Sequence, residues 1–310
     1  MTEIREASAD QTERLESGAA SEVDALAVLR LRYWQHLLNE MLKRKEFKIP
    51  IHMGFGHEAA AVAMNCSMAP DDVLCLSHRN AAYNLARAES LEAILAHYRL
   101  TQRSAGGGLM GSMNLAVDGT SIAYSSSILG NNLPVAAGMA MHRTFVKRPG
   151  VVFVLVGDGG MEEGTFWETL IFSSSHRLPL VVVVENNDYS MSSTIAQRRS
   201  PIDISQICAG LGFGYARSSG AVLEDTKAAL SAARVSAAAG SPACVELDLT
   251  TFCQHAGPTP GWPDDPKRIS IDDGLLVEDS PTDPVFHVRN MLGAAEFQRL
   301  SDQVMEGGPR

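Results

Sequence analysis

The sequence predicts an α/β fold: a largely parallel sheet with helices on both faces. Three observations carry that expectation, and all lie in the stretch from Val151 to Ser193. Val151 to Val156 and Leu180 to Val184 are short, continuous, valine-rich runs, the pattern of strands buried on both faces. Glu163 to His176 between them is long enough for one crossover helix, and Pro179 marks its end. Such a crossover leaves the two strands parallel, so both carboxyl ends open on one crevice.

At those ends stand Asp158, within Gly157-Asp158-Gly159-Gly160, and Asn187, within Glu185-Asn186-Asn187, twenty-nine residues apart. Their carboxylate and amide oxygens are hard donors, suited to magnesium or calcium rather than zinc. Magnesium held by few protein groups completes its shell with phosphate oxygens and water. Glycines beside Asp158 let backbone amides approach phosphate, and a helix start behind them favours anions. Either motif alone is ordinary turn chemistry. Placed together after two buried strands joined by one helix, they resemble the diphosphate-binding motif of thiamine diphosphate enzymes. With Glu163-Gly164, Trp167-Glu168 and the run Glu185 to Tyr189, the chain resembles the alpha subunit of 2-oxo acid dehydrogenase first components. The resemblance implies thiamine diphosphate and a Mg2+ ion whose ligands are Asp158, Asn187 and the backbone carbonyl of Tyr189.

Length and composition suit one domain. The 310 residues can bury a sizeable core, and 45% hydrophobic with 20% charged residues is the balance of a globular protein. Residues 1–21 are polar and non-periodic and are expected to be a mobile arm, leaving 22–310 as the thiamine diphosphate-binding domain. The formal net charge of −10 argues against nucleic acid as a partner. No apolar run reaches the length of a membrane span, and MTEIREASAD is not the start of a signal peptide. Five scattered cysteines without CxxC spacing fit a reduced, cytoplasmic protein.

In chain order, Glu22 to Lys45 carries Leu26, Leu29, Tyr33, His36, Leu37 and Met41 at helical spacing and reads as a packed helix without chemistry of its own. Gly56-His57-Glu58-Ala59 resembles the family's Gly-Gln-Glu-Ala element, with His57 in place of glutamine. His52 falls where pyruvate- and acetoin-type members have a substrate histidine. Asp71 to Leu76 reads as a turn and a strand ending in His78-Arg79, where the family has a Tyr-Arg pair on the cofactor diphosphate. Arg79 keeps the planar fork that suits phosphate oxygens. His78 can still donate a hydrogen bond. A downstream family histidine is Ala81 here.

Ser90 caps a helix from Leu91 to Tyr98. Gly106 to Asn114 is a glycine-rich loop that resembles the family's Gly-Ser-Met-His segment, with Asn114 in place of histidine. Ser125 to Met139 turns from polar loop to helix, with Pro134 near its start. The resemblance places Ser127 and Leu129 against the aminopyrimidine ring. Pro201 to Leu211 and Leu223 to Ala238 read as helices, and Ala243 to Leu249 as an alternating strand. Beyond it His255 matches a family histidine that touches the diphosphate, while Thr251, Gln254 and Ala256 depart from the pattern. Pro258 to Asp273 reads as a loop that orders with cofactor, and Asp283-Pro284 opens a last helix through Leu292 or beyond.

The resemblance implies an enzyme that decarboxylates a 2-oxo acid such as pyruvate and passes the acyl group to a lipoyl carrier. It assigns His52 and His255 to catalysis, and His78, Arg79, Ser127, Leu129, Gly157, Asp158, Gly159, Gly160, Asn187, Tyr189 and His255 to the cofactor. It also implies a beta subunit that supplies the pyrimidine-side glutamate, a lipoyl acyltransferase as acceptor, and a homodimer or α2β2 assembly. Two readings stay open beside it. The pattern from Ser127 to Met139 also echoes transketolases, which keeps a carboligase or split transketolase as an alternative. His57, Ala81, Asn114 and Thr251 keep a cofactor-binding scaffold without activity as another.

Overall fold

A computed structural model describes residues 3–307 except 118, 260, 262–264 and 266, with side chains described from Glu22 onward. The first helix, α1, runs Glu3–Lys43. Of the arm expected over 1–21, residues 3–21 form the beginning of this helix, and their side chains lie outside the described residues. There follow α2 (Glu58–Ser67), β1 (Val73–Leu76), α3 (Ala81–Arg87), α4 (Leu91–Tyr98), β2 (Ile122–Ser125) and α5 (Asn132–Phe145). Next come β3 (Val152–Gly157), α6 (Gly164–His176), β4 (Leu180–Asn186), the two-residue strands β5 (Tyr189–Ser190) and β6 (Ser193–Thr194), and α7 (Ile195–Arg198). The chain continues through α8 (Ile204–Leu211), β7 (Gly214–Ser219), α9 (Leu223–Ala238), β8 (Ala243–Asp248), α10 (Pro284–Leu292) and α11 (Ala294–Glu306).

Six strands form one parallel sheet in the order β2-β1-β3-β4-β8-β7. Alternate side chains of the central strands enter two separate cores, because successive residues of a strand point to opposite faces. Phe153, Leu155, Val181 and Val183 pack with α1, α2 and α9 side chains. Val152, Val154, Val156, Leu180, Val182 and Val184 pack with those of α5, α6 and α8. This double burial is why the strands read as unbroken valine runs rather than as alternation. Among the described residues no helix is long and apolar enough to cross a membrane.

Two expectations need correction. The strand Ala243–Asp248 is buried at five consecutive positions rather than alternating, since β8 lies between β4 and β7 with both faces covered. The helix expected from Pro201 begins at Ile204, where the Asp203 side chain accepts from Gln206 N at 3.1 Å. The crossover helix expected over Glu163 to His176 is α6, Gly164–His176, set off from the glycine turn by a 3-10 turn, Asp158–Glu162. The edge strands β2 (IAYS) and β7 (GYARSS) had no reading as strands, since neither is a continuous apolar run like β3 and β4.

Candidate active site

One cleft lies across the carboxyl ends of the sheet, and it draws on five strands. Ser77, His78 and Arg79 follow β1; Ser126, Ile128, Leu129 and Gly130 follow β2; Gly157 to Gly160 follow β3; Asn187, Tyr189 and Ser190 follow β4; His255 follows β8. A parallel sheet brings these loops to one end because every strand points the same way. The cleft spans about 590 Å³ including its mouth, which is open to solvent.

Gly159 and Gly160 are required by close packing. A Cβ on Gly159 would run into the Ser190 side chain, and one on Gly160 would lie 2.5 Å from Val156 Cγ2. Gly157 faces the cleft, and a Cβ there would meet nothing within 4 Å. Asp158 is 2% exposed. Its Oδ2 receives Arg198 Nη2 at 2.7 Å, and Arg198 also reaches Glu162 Oε1 at 2.9 Å. Burial holds the Asp158 carboxyl above the usual carboxylate range, more than Arg198 can offset. Asn187 donates its amide to Thr251 Oγ1 at 2.7 Å, and its Oδ1 accepts only a long bond, 3.3 Å, from Tyr189 N.

This donor set fits magnesium. Asp158 is a buried carboxylate whose desolvation calls for more positive charge, and the amide oxygen of Asn187 is weakly engaged. Tyr189 shares the cleft wall with both. One carboxylate and two neutral oxygens, with phosphate to complete the shell, is the arrangement magnesium takes. Among the described residues no group of three or more His, Cys, Asp or Glu side chains is placed to hold a metal ion.

The opposite wall is basic and aromatic. Arg79 Nη1 donates to Met53 O at 2.6 Å, which fixes the guanidinium at the rim. The rings of His52, His78 and His255 pack with centroids 4.7 to 5.1 Å apart. His78 and His255 line the cleft, whereas His52 is 4% exposed and packs edge-on behind them, off the wall itself. Burial, then the charge of Arg79, lowers all three: His52 to about 3, His78 to about 2 and His255 to about 4. At neutral pH they are uncharged donors and acceptors, and Arg79 is the fixed cation of that wall. Ser127 is exposed and off the lining; its N–H donates to Asn114 Oδ1 at 3.0 Å.

These histidines are expected to contribute to acid sensitivity of the fold. His36, buried in the core beside Arg32, is likewise lowered by burial to about 3. Each folded-state value lies below that of the unfolded chain, so the unfolded state binds more protons as pH falls below about 6.5. Stability is expected to fall through the window from about 6.5 toward 4, by up to roughly 1.4 kcal/mol per pH unit for each histidine. Urea unfolding at pH 7.5, 6 and 5 checks this; a flat midpoint over that range would contradict it.

Several cleft residues carried no signal for their role. Glu185 was part of the Glu-Asn-Asn motif, yet its side chain turns inward to His57 and Tyr83. Arg198 on Asp158 was not anticipated; the only hint was a pair of arginines shortly after the Asn turn.

Residues 28–252 match the family described as dehydrogenase E1 component. The chain is 26% identical over 272 residues to the mitochondrial pyruvate dehydrogenase E1 component subunit alpha-1 of Oryza sativa subsp. japonica, covering 88% of this chain and 68% of that one. It is 25% identical over 233 residues to the mitochondrial subunit alpha of Dictyostelium discoideum, covering 75% and 61%. It is 28% identical over 160 residues to the subunit alpha of Acholeplasma laidlawii, covering 52% and 44%. The matches thus span from under half to about two thirds of these relatives' lengths. With 225 residues matched, the chain belongs to the dehydrogenase E1 component family.

Proposed function

We propose that the chain is the alpha subunit of an enzyme that decarboxylates a 2-oxo acid such as pyruvate and hands the acyl group to a lipoyl carrier. The observation that carries this reading is the meeting of Asp158, Asn187 and Tyr189 with Arg79, His78 and His255 in one cleft. When bound, thiamine diphosphate supplies a nucleophilic carbon and an electron sink for decarboxylation. Asp158, Asn187 and the Tyr189 carbonyl hold Mg2+. Gly157, Gly159 and Gly160 keep side chains away from the diphosphate, while Arg79 neutralises its charge and His78 and His255 hydrogen-bond to it. Leu129, on the lining, gives an apolar seat to the ring system, and the neighbouring Ser127 offers backbone beside it. His52 backs His255 on the substrate side, with its Nδ1 buried and unpartnered.

The carboxylate needed at the aminopyrimidine comes from a beta subunit. Both carboxylates on the described cleft wall are committed, Asp158 to Arg198 and Glu185 to His57 and Tyr83. Ile128 and Leu129 stand 68% and 45% exposed at the cleft, which supports an assembly, homodimeric or α2β2, that covers it. The five unpaired cysteines support a reducing compartment, the cytoplasm. The isolated chain is expected to show no turnover of pyruvate with ferricyanide. Addition of the beta chain is expected to restore it, and robust turnover by the isolated chain would overturn the shared site. Carbon–carbon bond formation with an added aldehyde, in place of ferricyanide reduction, would favour the carboligase alternative.

A further inference from the structure

A chain of hydrogen bonds leads from the buried core out to the half-buried Asn187. Tyr83 donates its hydroxyl to Glu185 Oε1 at 2.8 Å, and His57 Nδ1 lies 3.0 Å from the same oxygen. His57 Nε2 lies 2.8 Å from Thr251 Oγ1, which also receives Asn187 Nδ2 at 2.7 Å. His57 and Tyr83 are 1% exposed and Glu185 is 4% exposed, so water does not compete for the bonds among these three, while Thr251 and Asn187 are half-buried.

Donor and acceptor chemistry gives this chain one direction. A carboxylate oxygen accepts, so the His57 ring proton sits on Nδ1. Nε2 is then an acceptor, and it takes the single hydroxyl proton of Thr251. The Thr251 oxygen, with that proton committed, accepts the amide N–H of Asn187. An amide can turn either end toward a neighbour, and here the acceptor on Thr251 claims the nitrogen end. The oxygen end is thereby left for the opposite side, where Tyr189 N makes its long contact. The backbone holds the parts in register. Phe252 N donates to Phe55 O at 3.1 Å, and a Cβ on Gly56, whose φ is +97°, would overlap the Thr250 carbonyl.

We propose that His57 and Thr251 are positioning residues that turn the Asn187 carbonyl oxygen toward the metal, a role that rests on Asn187 being a metal ligand. Both residues depart from the pattern the sequence otherwise resembles, and they contact each other. These two departures form one unit that orients a ligand, so they do not speak for a lapsed scaffold.

The test uses the full chain, titrated with Mg2+ in the presence of thiamine diphosphate by calorimetry, with melting curves to confirm folding. Thr251→Val keeps the shape and removes the hydroxyl; it is expected to weaken Mg2+ about tenfold, the usual effect of losing a group that orients a metal ligand. Thr251→Ser is expected to stay near wild type. His57→Leu is expected to lose affinity and His57→Gln, which can donate to Glu185 and accept from Thr251, to restore it. In wild type, histidine 15N spectra are expected to show His57 protonated at Nδ1. Wild-type Mg2+ affinity in Thr251→Val, with Asn187→Ala inactive in binding, would overturn the positioning role alone. Equal loss in His57→Leu and His57→Gln, or an Nε2–H tautomer, would do the same. Unchanged Mg2+ binding in Asn187→Ala would instead remove the metal reading on which the role rests.

Discussion

Asp158→Ala is expected to abolish Mg2+-dependent binding of thiamine diphosphate while leaving the metal-free chain at least as stable as wild type. The two effects have opposite signs for one reason. Asp158 is the only carboxylate in the proposed ligand set, and even groups that merely orient a ligand are worth tenfold to a hundredfold. Its loss should therefore cost about a hundredfold or more. In the metal-free chain, however, burial raises the Asp158 carboxyl. A raised carboxyl disfavours the folded state as pH climbs above the ordinary carboxylate range, because ionising the buried group costs more than ionising it in water. Removing it lifts that cost, and Arg198 keeps Glu162 as its partner. Calorimetry and thermal melts on one preparation check both halves. Undiminished cofactor affinity would reject the metal assignment, and a large fall in Tm without metal would reject the electrostatic argument.

Arg32→Met is expected to destabilise the fold by about 3–5 kcal/mol, the usual cost of breaking a buried ion pair from one side. Arg32 is fully buried and every N–H of its guanidinium is used. It reaches Glu58 at 2.6 and 2.9 Å, Asp283 at 2.8 and 3.2 Å, and Leu275 O at 2.8 Å. The cluster ties α1 to α2 and to the start of α10. Burial opposes the charge on Asp283, but Arg32 outweighs it and holds that carboxyl below the usual range. Wild type thus draws stability from this pair above the ordinary carboxylate pKa and loses it as pH falls. Without Arg32 the sign reverses: the two buried carboxylates lose their cation, and acid should relieve them by protonation. The Tm deficit of Arg32→Met, roughly 10 °C at pH 7.5, should therefore narrow toward pH 5. Adding Glu58→Gln should recover part of it. A deficit that is absent or independent of pH would show that the cluster does not stabilise the fold.

The sequence by itself determined the sheet's centre and the main parts of the cleft. Valine runs bounded by Gly157 and by the Asn186-Asn187 turn are local patterns. The burial that creates them also places Asp158 and Asn187 at neighbouring strand ends. Arg79 and His255 were marked only by the resemblance, each in the segment that follows a strand. Only the tertiary structure decided which partner each of these groups takes. Asp158 meets Arg198 across 40 residues, Asn187 meets Thr251 across 64, and Thr251 meets His57 across 194. Arg32, on a helix that read as plain packing, meets Asp283 across 251. Hydrophobic periodicity encodes which face of an element is buried, but not which buried acceptor stands opposite a given donor. That choice depends on how loops from separate strands converge, and it fixed His52 behind His78 and His255 rather than on the wall where its sequence position suggested.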